Sequence, residues 1–307
     1  MKTIIFTITL VLILTGCSTQ SDLISREESL INIEKFDLQD DLYPPKLHSN
    51  EFTVPKPLKG LINTAGAEDS PFIPINSDYF YFFFTPDASI PAEGQVGDKV
   101  TGIYVSKKVD NEWTKPTRVV LQNSNKLSLD GCEFVLDNKI WFCSAREGYT
   151  GLHWFTAEKK NDHYKKWKLA DFPSDYKIGE LHIHNDTLYF HSDMNGTAGQ
   201  NDIWSLELIH NEWQNLANLK TVNSDLDDSL PYITNDGQEL WLTRFYQGSP
   251  ALFRSKLTDN SWSNPELIIS QFAGEPTLDN QGNLYFVHHY VIDGKIQEAD
   301  IYHSKRK

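Results

Sequence analysis

Residues 50–58 read NEFTVPKPL, and residues 111–119 read NEWTKPTRV. The motif returns as NEWQNLANL from position 211 and NSWSNPELI from position 260, with a weaker copy, NDHYKKWKL, from position 161. Taking the aromatic as marker, Trp113, Tyr164, Trp213 and Trp262 are spaced 51, 49 and 49 residues apart. Self-similarity at a period near 50 residues marks a stacked or radial repeat architecture. A second motif recurs as GIYVSKKV at 102, GLHWFTAE at 151, DIWSLELI at 202, ALFRSKLT at 251 and DIYHSKRK at 300. A third, a hairpin with an aromatic second arm, recurs as INSDYFYFFF, LDNKIWFC, HNDTLYFH, NDGQELWL and DNQGNLYF. Asn, Asp and Gly occupy the hairpin turns because they tolerate the positive φ that tight two-residue loops require.

Each unit therefore reads as four short strands: an inner strand, the aromatic strand, the DIY strand and the NEW strand. Four strands per unit, repeated radially, predict an all-β chain folded as a β-propeller, and the five aromatic hairpins predict five blades. The fifth blade lacks a NEW strand because the sequence stops at DIYHSKRK, while the first NEW copy has no hairpin before it. Both features are accounted for if 50–58 supplies the outer strand of the last blade and closes the ring, leaving no exposed strand edge.

The combination of DIY.S, NEW..P, INT...EDSP and NDGQELWLTR resembles the TolB-type, WD40-like β-propeller repeat of bacterial periplasmic proteins, over about residues 50–307. The resemblance implies a rigid disc that binds ligands or partners on one face, mostly without catalysis. Two units depart from it: the second lacks the Trp-Pro pairing and the third lacks its Pro, so their outer edges are less well defined by sequence.

The chain has 307 residues, a formal charge of −14, 39% hydrophobic and 12% aromatic residues. It is long enough for a sizeable core, and its aromatic share favours half-buried sheet surfaces. The acidic balance opposes binding to phosphate backbones, so nucleic acid is excluded as a partner. The opening MKTIIFTITLVLILTGC has one Lys and then an apolar run too short for a stable membrane span, the layout of a secretory signal at residues 1–16. LTGC resembles the lipobox of bacterial lipoproteins, which implies acylation at Cys17; Ser18 after it implies sorting to the outer membrane, facing the periplasm. The polar, acid-rich segment 17–49 reads as a tether ahead of the propeller.

In a propeller the loops entering the inner strands and leaving the aromatic strands open on the same face, around the central channel. At the inner-strand starts stand Asp69 beside Glu68, Glu133, Glu180, Asp228 beside Asp227, and Glu275. Leaving the aromatic strands are Arg146, Asp193, Arg244, and His289 beside His288. The expected ligand site is thus a polar channel mouth formed by Asp69, Glu133, Glu180, Asp228, Glu275, Arg146, Arg244 and His289, with aromatic walls from Tyr149, Phe245 and Tyr246. Converging carboxylates raise one another's pKa unless a cation offsets them, and the two arginines are the expected counter-charges. The competing reading is structural, in which repeated acids bond a neighbouring blade's backbone. His182, His184 and His191 alternate with period two on the third blade without zinc-ligand spacing, and no metal or cofactor is expected.

These features point to a non-catalytic module that binds a carbohydrate or an envelope protein. The alternative is a glycoside hydrolase-like enzyme: five-bladed propellers also host such enzymes, and EDSPF and GEP are similar to the inner-strand starts that carry their carboxylates. Near-uniform repeats weigh against that alternative, since a hydrolase needs a distinct acid for each role. Finally, Cys132 and Cys143 are equidistant from a two-residue turn at Asp137 and Asn138, which places them opposite each other, Cα atoms about 5.5 Å apart, within disulfide range. A bridge or a pair of buried free thiols both fit that placement. The anchoring expectation has a direct check: Cys17→Ser should move the protein from the membrane to the soluble fraction, and a variant still membrane-bound through no other contact would remove the lipobox reading.

Overall fold

The computed structural model describes residues 23–123, 125–161 and 163–307. The signal segment and Cys17 lie outside the described residues. Five antiparallel units follow one another, each built on a hairpin whose second arm is aromatic. In the first blade the inner strand Ala67–Phe72 pairs with Tyr79–Thr85, which pairs with Gly102–Val109. The corresponding inner strands are Ser128–Leu136, Leu181–His184, Asp228–Ile233 and Ala273–Leu278. Each inner strand lies beside the next, and the last lies beside the first, so the five form a closed ring. The fold is an all-β propeller.

Aromatic residues close the channel below its mouth. Counting from the residue that faces the aromatic strand, Phe72, Phe134, His182 and Tyr232 occupy one level of successive blades. Their rings meet in sequence, with centroids 5.2 Å apart for Phe72 and Phe134, 4.8 Å for Phe134 and His182, and 4.8 Å for His182 and Tyr232. This collar gives the channel a low-dielectric floor, and burial lowers the His182 pKa to about 3, so its ring packs as a neutral aromatic.

The ring closes through the N-terminal copy of the NEW motif. Phe52 bridges Arg306, and Lys56–Pro57 pairs with Tyr302 and His303 on the last DIY strand. The Thr53 amide donates to Lys305 O at 2.9 Å and the Leu58 amide to Ile301 O at 2.8 Å. Phe52 is fully buried, edge-on to Trp241.

The proline difference between units has a structural consequence. Where the outer strand carries a Pro after the aromatic, as in the first, fourth and closing fifth blades, it breaks into two pieces, because Pro has no amide to donate to the ladder. In each of these blades a DIY-strand serine bridges the break. The hydroxyl of Ser106 donates to Thr114 O and that of Ser255 to Ser263 O, both at 2.6 Å, and Ser304 donates to Thr53 O. The second and third blades carry Ala157 and Leu206 at this place and have unbroken outer strands, His163–Leu169 and Glu212–Asn218. Their edges are the more regular ones.

A buried clamp joins adjacent blades. At the junction of the third and fourth, Asn223 bonds both the amide and the carbonyl of Ile203; at the junction of the fifth and first, Asn63 does the same to Ile301. One residue further, Ser224 and Thr64 donate to the carboxylates of Asp228 and Glu68. Asp228 then holds the Arg244 guanidinium at 2.5 Å, and Asp130 holds Arg146 at 2.8 Å in the second blade. Both arginines also donate to a link carbonyl, Val222 O and Leu121 O, and lie over Phe253 and Phe155.

In the first blade Phe84 stands opposite Glu68, where the fourth blade has Arg244 opposite Asp228, and the missing guanidinium comes from outside the repeat. Arg26, 4% exposed, bonds Glu68 and Ile62 O and lies over Tyr104, which matches Phe155 and Phe253 in register. It belongs to a one-turn helix, Arg26–Ser29, started by a capping box between Ser25 and Glu28. The segment expected as a tether is therefore docked from residue 23 onward. Lys35 pairs with Glu298 and Asp300, Phe36 stacks on Tyr290 at 4.6 Å, Asp41 bonds His288 at 3.1 Å, and Lys46–Leu47 adds a strand to Glu266–Ser270.

Arg146 and Arg244 thus sit in the blade junctions, away from the channel mouth where they were expected. Removing one partner of a buried pair leaves an uncompensated charge, at a cost of about 3–5 kcal/mol. Arg146→Ala should lower stability to that extent in denaturant unfolding; an unchanged unfolding midpoint would mean that the Asp130 pair carries no load.

Candidate functional site

Strand register separates the acids into two sets. Glu68, Asp130 and Asp228 recur at one position, four residues ahead of the aromatic collar, and all are buried in the clamps just described. Asp228 is consequently no channel residue: it is fully buried on Arg244 and Ser224.

Closer to the collar the inner strands bulge. Ser70, Cys132, Leu230 and Glu275 take positive φ of 48°, 53°, 56° and 56°, each as the extra residue of a β-bulge, and so turn inward. With Glu180 from the unbulged third blade, they line a cavity of about 50 Å³ at the channel mouth. The next position is Pro71, Pro231 and Pro276 in three blades, Leu181 in the third and Glu133 in the second, and all five line the same cavity. Position three ahead of the collar is Gly131, Gly179, Ser229 and Gly274 in four blades, and Asp69 in the first. The channel acids stand where other blades carry glycine, serine, proline or an apolar residue. Asp69 and Glu133 are each the single acid at their position, while Glu180 and Glu275 share one, so the acids are not uniform around the ring.

The electrostatics of this set are uneven. Glu133 is 6% exposed, and neither carboxyl oxygen has a hydrogen-bond partner among the described residues. Burial, then the nearby Glu180 and Asp69 charges, raises its pKa well above the ordinary value. Burial and Asp69 push Glu180 to about 8, and burial, Asp69 and Glu180 raise Glu275. Burial would raise Asp69 as well, but the adjacent His289 overrides it and holds Asp69 at about 2; the imidazole Nε2 lies 3.8 Å from its carboxylate. The Ser70 amide also donates to Glu275. The mouth therefore sets Asp69, held at about 2, beside Glu180, pushed to about 8, with Glu133 and Glu275 raised as well and no arginine lining the cavity.

Of the residues expected at the mouth, the structure brings together Asp69, Glu133, Glu180, Glu275 and His289. Tyr149 packs on Phe155 and Trp167 at the rim of the second blade, Phe245 is half exposed, and Tyr246 lines a separate groove. Gly179 lets the His191 ring cross beside Glu180, since a Cβ there would lie 2.2 Å from Nε2. Cys132 is the cavity-lining neighbour that sequence reasoning assigned only to a disulfide. It is bonded to Cys143 with Cα atoms 5.5 Å apart, although the bulge places Gly131, and not Cys132, opposite Cys143 in the ladder. The bond ties the bulge that carries Glu133 to the aromatic strand.

No family model and no curated protein matches the chain by sequence. Among solved structures, it is similar to the endo-arabinase from Bacteroides thetaiotaomicron VPI-5482, with 14% identity and a TM-score of 0.50 over 78% of this chain and 94% of that one. It is similar to the Bacteroides ovatus Xyloglucan PUL GH43B, with 14% identity and a TM-score of 0.50, covering 81% of this chain and 53% of the other. TolB from Acinetobacter baumannii matches at 11% identity and a TM-score of 0.44, over 80% of this chain and 56% of that one. At 14% identity the likeness to the first two shows the fold alone.

The uneven protonation is open to measurement. Carbon-13 NMR of Glu-labelled protein, assigned with Glu180→Gln, should show a glutamate carboxyl titrating near pH 8, and titration of Glu180 near its ordinary value would remove the buried-acid description.

Proposed function

We propose that the protein acts on a glycosidic bond at the channel mouth, with Asp69 as the ionised carboxylate and Glu180 as the proton donor. The observation that carries this reading is the gathering of carboxyl groups from four blades, outside the register of the clamp acids, with pKa values pushed apart, Asp69 at about 2 and Glu180 at about 8. Pairs of groups whose environments push their pKa values apart are the arrangement that acid–base catalysis uses. Glycosidic hydrolysis needs such a pair, one protonated to release the leaving oxygen and one ionised to assist attack at the sugar carbon. Burial and the Asp69 charge are what keep the proton on Glu180. The endo-arabinase and the xyloglucan-locus protein on the same fold support a plant-type polysaccharide as substrate.

A cavity of about 50 Å³ admits water and no sugar ring, so the reacting ring lies over the mouth with the acids beneath it. The same narrowness favours a second reading, a propeller that binds carbohydrate or an envelope protein on this face without cleaving it. In either case the chain is proposed to be exported and held through Cys17 at the outer membrane, facing the periplasm.

Incubation of the mature protein with linear arabinan, arabinoxylan and xyloglucan, followed by chromatography of released sugars, tests the enzymatic reading. Hydrolysis is expected to fall by about 10²–10⁴-fold in Asp69→Asn and in Glu180→Gln. Asp69 must be ionised and Glu180 protonated, so the rate should rise with pH through about 2 and fall as pH passes about 8. Binding of these glycans without product release would replace the enzyme by the binding module.

A further inference from the structure

Four of the five links between an outer strand and the next inner strand are nine to eleven residues long: 58–66, 119–127, 170–180 and 219–227. The fifth, from the fourth blade to the last, has only Gln271 and Phe272. These take φ of 74° and 53°. Among the described residues, the other consecutive positive-φ pairs without glycine are the Asp-Asn or His-Asn turns of the NEW hairpins at 110–111, 210–211 and 259–260, residue types suited to that conformation. Gln and Phe are not, so this link holds backbone strain of the kind that persists where the surroundings fix it.

The short link leaves a gap over the junction of the fourth and fifth blades. The docked N-terminal segment crosses it, and between them lies a groove of about 580 Å³, within the range of sites that hold small ligands. Its walls are the rings of Tyr43, Tyr246 and Phe272, with Tyr43 and Phe272 tilted at 5.3 Å. The polar groups are the amides of Gln247 and Gln271, the ammonium of Lys46, the hydroxyl of Ser249, and the His48 imidazole, which lies 2.8 Å from the Ser270 hydroxyl. No carboxylate lines the groove, in a chain with 42 acidic residues.

The groove adjoins the channel mouth. The Phe272 carbonyl accepts the His289 amide at 3.0 Å and lies 3.2 Å from His288 Nδ1, and His289 is the residue beside Asp69. Aromatic faces stack on the apolar faces of sugar rings, while amides and an ammonium bond hydroxyls. The absence of carboxylates argues against a cation, and the polar lining argues against a lipid chain.

We infer that this groove binds the distal units of an oligosaccharide whose reacting end lies over the channel mouth. The inference rests on the carbohydrate reading above and extends it to a chain several units long. The probes are linear arabino-oligosaccharides of two and six units, titrated calorimetrically into the mature protein carrying Glu180→Gln to prevent turnover. The six-unit chain should bind at least ten-fold more tightly than the two-unit one. Adding Tyr43→Ala and Tyr246→Ala should abolish that advantage and leave the two-unit affinity unchanged, and Gln247→Ala, at an exposed position, should reduce it. Absence of a length advantage, or its survival in the double tyrosine variant, overturns the inference. The two readings fail separately: a tyrosine-dependent length advantage in a protein whose wild type cleaves no glycan keeps the groove and removes the enzyme. Cleavage at rates independent of chain length keeps the enzyme and removes the groove.

Discussion

A ring of inner strands has no free edge only when its two ends are joined, and here the joint consists of backbone hydrogen bonds between 52–58 and 301–306. Everything at the channel depends on that closure, because acids from the first and the fifth blade meet across it: Asp69 approaches His289, and the Ser70 amide bonds Glu275. The seam is reinforced by charge. Arg254, fully buried, gathers Glu51 of the closing strand with Glu239 and Glu266 of the fourth blade, and its hydrogen bond lowers the Glu51 pKa to about 2. That contribution is present above the ordinary glutamate range and is lost as the pH falls towards 2.

Stability and function are divided by position within the repeat. Acids that recur in register, Glu68, Asp130 and Asp228, each neutralise a buried guanidinium. Asp69, Glu133, Glu180 and Glu275 lie outside that register, Asp69 and Glu133 each alone at its position and Glu180 and Glu275 at a shared one, and they share the channel with His182 and His289. Repetition is what fold stability requires, since every junction faces the same packing problem. A reacting site requires the opposite, because equal carboxylates in equal surroundings would share one protonation state and could not act as a proton donor beside an ionised partner.

The N-terminal segment belongs to both halves of this division. Arg26 supplies to the first blade the cation that Arg146 and Arg244 supply to theirs, so the segment completes the repeat. Tyr43 and Lys46, further along, form one wall of the groove over the shortest link. A stretch that resembles a linker in composition is thereby placed between the proposed anchor and the proposed binding face.

The sequence alone determined the propeller and its circular closure, because hydrophobic periodicity, turn residues and motif spacing are local properties that repetition makes visible. The outer edges of the second and third blades, less well defined by sequence, are the ones the structure shows to be continuous. Only the tertiary structure decided which charges meet. One extra residue in a β-bulge reverses the direction of every side chain before it, so Asp228 and the adjacent positions could not be sorted into clamp and channel by counting along the chain. Arg146 and Arg244 look like mouth residues because they follow strands; their partners, Asp130 and Asp228, lie sixteen residues away in sequence and across a hairpin in space. Arg26 forms its pair with Glu68 over forty-two residues, with no motif to announce it. Periodicity carries the fold, whereas long-range charge pairing is settled by burial, which penalises an unpartnered ion wherever the packed chain leaves one.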